Sequence, residues 1–135
     1  MSVSMRNPEA LGAPLGRYSH VAEATGSRTL FVAGQVGVDR DGTLVGDGDV
    51  AAQTRQTYEN LGVALESAGA TWADVAKFTI YLVSEDLIED FFRARDEAFA
   101  RAFPSGVFPP STFVIVHRLV KPELLVEIEA VAVIA

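Results

Sequence analysis

The run Leu124-Leu125-Val126-Glu127-Ile128-Glu129-Ala130-Val131-Ala132-Val133 is the most strand-like stretch of the chain and the one that most restricts its fold. Side chains of a strand point alternately to its two faces. Val126, Ile128, Ala130 and Ala132 therefore share one surface, while Glu127, Glu129, Val131 and Val133 share the other. The first surface needs a layer packed on it. The second sets two carboxylates side by side among β-branched neighbours, where desolvation and like charge both raise a carboxylate pKa. Two readings stand open: a functional carboxylate, or an edge strand whose glutamates face water and discourage aggregation.

The elements before this strand follow from periodicity. Tyr18 to Ala24 and Thr29 to Val38 read as strands joined in a hairpin at Gly26-Ser27, with Gly34 and Gly37 marking a bulge or a close approach of backbone or ligand. Asp39 to Asp49 is turn-rich; its Asp39-Arg40-Asp41-Gly42 places glycine fourth where an EF-hand loop needs it sixth, and Val50 stands where that loop needs a glutamate. Asp49 caps a helix with apolar positions Val50, Tyr58, Leu61, Ala64, Leu65 and Ala68, closed by Gly69, with Gln53, Arg55, Gln56 and Glu59 on its wet face. Val75 to Val83 alternates, with Ala76, Phe78, Ile80 and Leu82 opposite Lys77, Thr79 and Tyr81. Being joined to the Thr29 strand through a helix, it is expected to run parallel to it. A second helix, Ile88 to Phe103, carries the stripe Phe91, Phe92, Ala98, Phe99, Ala102 and Phe103; these aromatics are core. After a proline-rich connection, Ser111 to Val116 and the closing strand read as an antiparallel pair.

That order describes an α+β fold. Its 135 residues, 49% of them apolar, suit a single domain spanning 1–135, with residues 1–15 as an irregular leading arm. Two helices cover one face of such a sheet and leave Thr79, Tyr81 and the Glu127/Glu129 row without a lid, so self-association is expected. Residues 1–14 lack the apolar core of a signal peptide and no run reaches membrane-spanning length, so a cytoplasmic location and no membrane partner are expected. Eighteen acidic against eleven basic residues give a net charge of −7, which repels phosphate backbones and argues against nucleic acid.

Motif-borne chemistry is sparse. The chain has no cysteine, and its histidines, His20 and His117, stand in no metal-ligand spacing. No Gly-x-Ser-x-Gly elbow, Walker loop or dinucleotide fingerprint is present. Arg17 with Tyr18, the Gly34-Gln35 break and the Glu127/Glu129 pair remain as candidate site groups.

Read in order, Arg17-Tyr18-Ser19-His20, Val32-Ala33-Gly34-Gln35-Val36, Ala52-Gln53-Thr54-Arg55-Gln56-Thr57 with Glu59-Asn60-Leu61, Val75 to Leu82, and Val126-Glu127-Ile128-Glu129-Ala130-Val131-Ala132 resemble the Rid superfamily, YjgF/YER057c/UK114. The resemblance covers most of the chain. It implies a chorismate-mutase-like subunit, a mixed six-stranded sheet with two helices on one face, forming a homotrimer with ligand clefts between subunits. For members of the RidA type it implies cofactor-free hydrolysis of enamines and imines to keto acids and ammonia. An arginine then holds the substrate carboxylate, and a glutamate positions water and manages protons. By that resemblance Glu127 is the glutamate, Tyr18 lines the cleft and Gly34 lets backbone approach the ligand. Neither metal nor cofactor is implied; the partners are further copies of the chain and a small polar metabolite.

One position departs from the pattern. RidA proteins carry the arginine in a Pro-Ala-Arg-Ser/Thr segment, and this chain reads Pro109-Pro110-Ser111-Thr112, followed by Phe113. A neutral hydroxyl in place of the guanidinium gives up roughly 1.5 to 3 kcal/mol. The sequence is thus similar to Rid subgroups without that arginine, with Ser111, Thr112, Tyr18 and Glu127 expected to line the cleft. Arg17 either restores positive charge from another direction or is a solvated side chain. An enamine or imine hydrolase and a noncatalytic binding or regulatory module both fit this reading.

Overall fold

In the computed structural model, which describes residues 2–135, the closing strand lies inside a sheet and not at its edge. This strand, β6 (Val126–Ile134), pairs antiparallel with β3 (Arg28–Val36) on one side and with β4 (Val75–Leu82) on the other. A further strand, β5 (Ser111–Ile115), adds to β4 in parallel, giving the order β3-β6-β4-β5. Both β3 and β4 are antiparallel to β6, so they run parallel to each other as expected. The expected β5/β6 pair is corrected, because β4 lies between them. Parallel neighbours need a crossover, and the helix between β4 and β5 supplies one.

The two helices are α1 (Val50–Ser67) and α2 (Ile88–Ala102). Asp49 caps the first, its Oδ1 accepting from the Ala52 N–H at 3.1 Å. Gly69, at φ +78°, ends it: the Ala70 and Gly69 N–H groups return to the Leu65 and Glu66 carbonyls. Tyr58, Leu61 and Leu65 of α1 and Phe91 and Phe99 of α2 bury themselves against Phe78, Ile80, Leu82, Val126, Ile128, Ala130 and Ala132. The burial of β6 alternates without a break, as its sequence requires. In β4 a bulge between Val75 and Lys77 makes Val75, and not Ala76, the buried residue.

The six strands do not form one sheet. The leading segment, expected to be irregular, contributes β1 (Val3–Arg6), which pairs with β2 (Val21–Ala24) in a separate two-stranded sheet. Val3 is the anchor, buried to 2% exposure, and the Ser2 hydroxyl donates to the Val133 carbonyl at 2.8 Å. The expected hairpin through Gly26-Ser27 is therefore a corner between two sheets. Gly26 is needed there because a Cβ would lie 2.5 Å from the Ile134 carbonyl oxygen.

Gln53 also departs from expectation. It is fully buried rather than on the wet face of α1. Its amide nitrogen donates to the Gly46 and Glu123 carbonyls at 2.9 and 3.0 Å, and its oxygen accepts from the Leu125 N–H at 2.8 Å. Gly37 packs on the same residue, where a Cβ would come within 2.7 Å of the Gln53 Cβ. One side chain thus joins α1, the turn before it and the entry to β6. Gln53→Leu keeps the volume but removes three hydrogen bonds to partly buried backbone groups, and is expected to cost roughly 3 kcal/mol in urea unfolding.

Candidate functional site

The segment ahead of β2 folds over the start of β5 and one side of α2, forming a half-open cavity of about 600 Å³. Arg17, Tyr18, Arg95 and Ser111 supply its polar lining, and Ile80, Phe92 and Phe113 its apolar walls. Local bonds hold the Tyr18 side in place: its hydroxyl accepts from the Leu15 N–H at 3.2 Å, and its ring meets His20 edge-on at 5.8 Å. The His20 ring is in turn 2.9 Å from the Gly12 carbonyl. Ser111 lies opposite Phe78 in the β4–β5 register, so its side chain points to the helix side of the sheet. Its hydroxyl oxygen is buried and has no hydrogen-bond partner.

Arg95 was not singled out by sequence reasoning. Its side chain is 12% exposed and its guanidinium lies 4.4 Å from the centre of the Phe92 ring. Both Nε and Nη2 donate to one oxygen, Oδ1 of Asp96, at 3.2 and 3.1 Å. Arg17 Nε approaches the same oxygen at 3.0 Å, so two guanidinium groups share one carboxylate and the cluster is positive. A signal was present in the sequence. Arg95 continues the spacing of Phe91, Phe92 and Phe99 along α2, a cation on an otherwise apolar stripe.

The remaining sequence candidates sit across the sheet. Between Val32 and Gln35 the β3–β6 register slips, and Gly34 lies in that irregularity. The Glu127 side chain rests against it; a Cβ on Gly34 would fall 2.6 Å from the Glu127 Cδ. Burial first, and the neighbouring Glu129 second, raise the Glu127 pKa above the ordinary glutamate value. Glu129 has a partner, accepting from the Tyr81 hydroxyl at 2.6 Å, and this bond is the largest cause of a raised Tyr81 pKa. Among the described residues no hydrogen bond or ion pair engages the Glu127 carboxylate. Thr112 faces this side as well, accepting from Lys77 Nζ at 2.7 Å, and points away from Ser111. Within one chain, then, Arg17, Tyr18 and Ser111 gather on the helix side, and Gly34, Glu127 and Thr112 on the open side. Among the described residues no cluster of His, Cys, Asp or Glu is placed to hold a metal ion, and no helix is long and apolar enough to cross a membrane.

The sequence profile of the Endoribonuclease L-PSP family matches residues 8–134. A RutC family protein from Synechocystis is 37% identical over 123 residues, covering 90% of this chain and 89% of its own. The chain belongs to the Rid family. The crystal structure of a Rid family protein from Yersinia pestis, YyfB, superposes with a TM-score of 0.86 at 37% identity, over 99% of this chain and 100% of that one. E. coli TdcF, solved with bound serine, superposes with a TM-score of 0.72 at 25% identity, over 90% and 91% of the two chains. This Rid protein has the mixed α+β fold of those relatives, with the sheet division described above.

A carboxyl whose pKa is raised by folding binds more protons in the folded state, so ionising it opposes folding, beginning as pH rises past its unfolded pKa and in full above its folded one. Glu127→Gln removes that charge. The variant is expected to melt at or above the wild-type temperature at pH 7.5. That advantage should vanish as pH falls through about 4.3, the ordinary glutamate pKa, in thermal melts followed by circular dichroism.

Proposed function

We propose that this Rid protein binds a small polar metabolite in the Tyr18–Ser111 cavity and hydrolyses an enamine or imine with Glu127 as the proton-handling group. The observation that carries this reading is the Glu127 carboxylate itself: half-buried, raised in pKa and free of any partner among the described residues. A general base works best when its pKa lies near the operating pH. In the proposed reaction a water oxygen bonds to the imine carbon, Glu127 takes the proton that water releases, and the nitrogen is protonated. Collapse of the resulting carbinolamine breaks the C–N bond, expels ammonia and leaves the carbonyl. The TdcF structure with bound serine supports a small-molecule ligand.

Because the cavity and Glu127 lie on opposite faces of the sheet, the reaction needs a second subunit to bring them together. The open face suits that role. Phe31 is 81% exposed there, with Val131 and Val133 beside it on β6 and Val114 on the same face at the far edge of the sheet. A homotrimer burying this face, with the ligand in clefts between subunits, is the assembly we infer. Phe31→Asp is expected to convert it to monomer in light scattering after size exclusion; an unchanged mass would remove this face from the interface.

The catalytic test is ammonia release from enzymically generated 2-aminoacrylate. Glu127→Gln should slow it by about 100-fold or more, and a rate equal to wild type would remove Glu127 from the mechanism. Ser111 in place of the RidA arginine favours one second reading, a noncatalytic binding trimer using the same cavity, in which ligand binds and no ammonia appears. Hydrolysis of RNA, named in the family's description, is opposed by the net charge of −7 on each chain.

A further inference from the structure

We propose that Arg95 of α2, together with the Ser111 hydroxyl, forms the anchor for a ligand carboxylate, so that the cavity selects small carboxylic acids with a short apolar tail. The inference rests on the metabolite-binding reading and names the class of ligand; it does not depend on Glu127 or on turnover.

Three observations converge. A guanidinium with its side chain only 12% exposed needs compensation for lost hydration. Asp96 supplies it incompletely, since a single oxygen of Asp96 serves both Arg95 and Arg17. A guanidinium has five N–H donors, and the Asp96 contact occupies the Nε and Nη2 sides of Arg95 only. Among the described residues lining the cavity the charged ones are Arg17 and Arg95, both positive. Second, the Ser111 hydroxyl oxygen is buried without a partner in the same cavity. Leaving a buried hydroxyl unmatched is unfavourable, and a carboxylate oxygen accepting from Ser111 would correct it while meeting the guanidinium. Third, the apolar walls, Leu15, Ile80, Phe92 and Phe113, suit an apolar tail of a few carbons and not a second charged group.

Arg17 is the weaker candidate for the anchor. Its side chain is 51% exposed and its Nε is committed to Asp96, so water screens its charge. The serine on β5 has an electrostatic consequence as well. Arg17 and Arg95 already line the cavity with Ser111, and an arginine at position 111 would add a third positive charge to that lining.

The experiment uses the full chain and two probes of the same shape, 2-oxobutanoate and its uncharged amide, with binding followed by NMR shift titration and each variant's fold checked by circular dichroism. The wild type is expected to bind the acid at least tenfold more tightly than the amide. Arg95→Gln should weaken the acid by roughly 10- to 150-fold and the amide little, and Arg95→Lys should recover part of the loss. A folded Arg95→Gln that binds the acid as tightly as wild type overturns the anchor and leaves the metabolite-binding reading standing. Should Arg95→Gln fail to fold, Ser111→Ala decides: a several-fold loss for the acid supports the anchor, and unchanged affinity overturns it. If neither probe binds the wild type, the anchor and the binding reading fall together.

Discussion

The alternation of β6 is the constraint on which the other layers depend. Lying between β3 and β4, it gives Val126, Ile128, Ala130 and Ala132 to the helices and Glu127, Glu129, Val131 and Val133 to the opposite face. A slip of one residue would press two carboxylates into the aromatic core around Phe78 and Phe99, so the register admits no neighbour. The same alternation separates the candidate site groups. Whatever the open sides of β6 and β4 carry is directed away from α2, and whatever reaches the α2 side cannot meet Glu127 within the chain.

Much of this was legible because it is local. The periods of β4, β6 and both helices, the Asp49 cap and the Gly69 stop are encoded within a few residues, and they stand where sequence spacing puts them apart from Ala76, displaced by the bulge in β4, and Gln53. Strand neighbours are not local. The insertion of β6 between β3 and β4 depends on pairings between segments far apart in the chain, such as Arg28 with Ile134 and Leu82 with Val126, and the β1–β2 pair is tied to the main sheet by Ser2 with Val133. Gln53 was misread for a related reason. A polar residue on a helix reads as solvent-facing unless its partners are known, and two of them, Glu123 and Leu125, lie about seventy residues away.

The candidate site shows the same division between what is local and what is not. Ser111 could be recognised as a departure from the RidA pattern, and Tyr18, Arg17 and Ser111 do gather around one cavity. The cation that lines the same cavity as Ser111 escaped notice because an arginine on a helix is ordinarily a solvated residue. Only its position in the stripe of Phe91, Phe92 and Phe99 distinguished it. Arg95 reaches the cavity from a helix, held by Asp96 and two aromatic rings.

The central claim is that a working site is built from the α2 side of one subunit and the open sheet face of another. Complementation between variants tests it most directly. Arg95→Gln and Glu127→Gln subunits, each expected to be strongly impaired alone toward 2-aminoacrylate, are unfolded together and refolded as mixed assemblies. Some of the shared clefts then pair an intact Arg95 with an intact Glu127 from a neighbour. Ammonia release recovering in the mixture, and not when the two variants are refolded apart and then combined, is the predicted result. A mixture that contains verified mixed assemblies and stays impaired, while a wild-type control refolded in parallel is active, would contradict it.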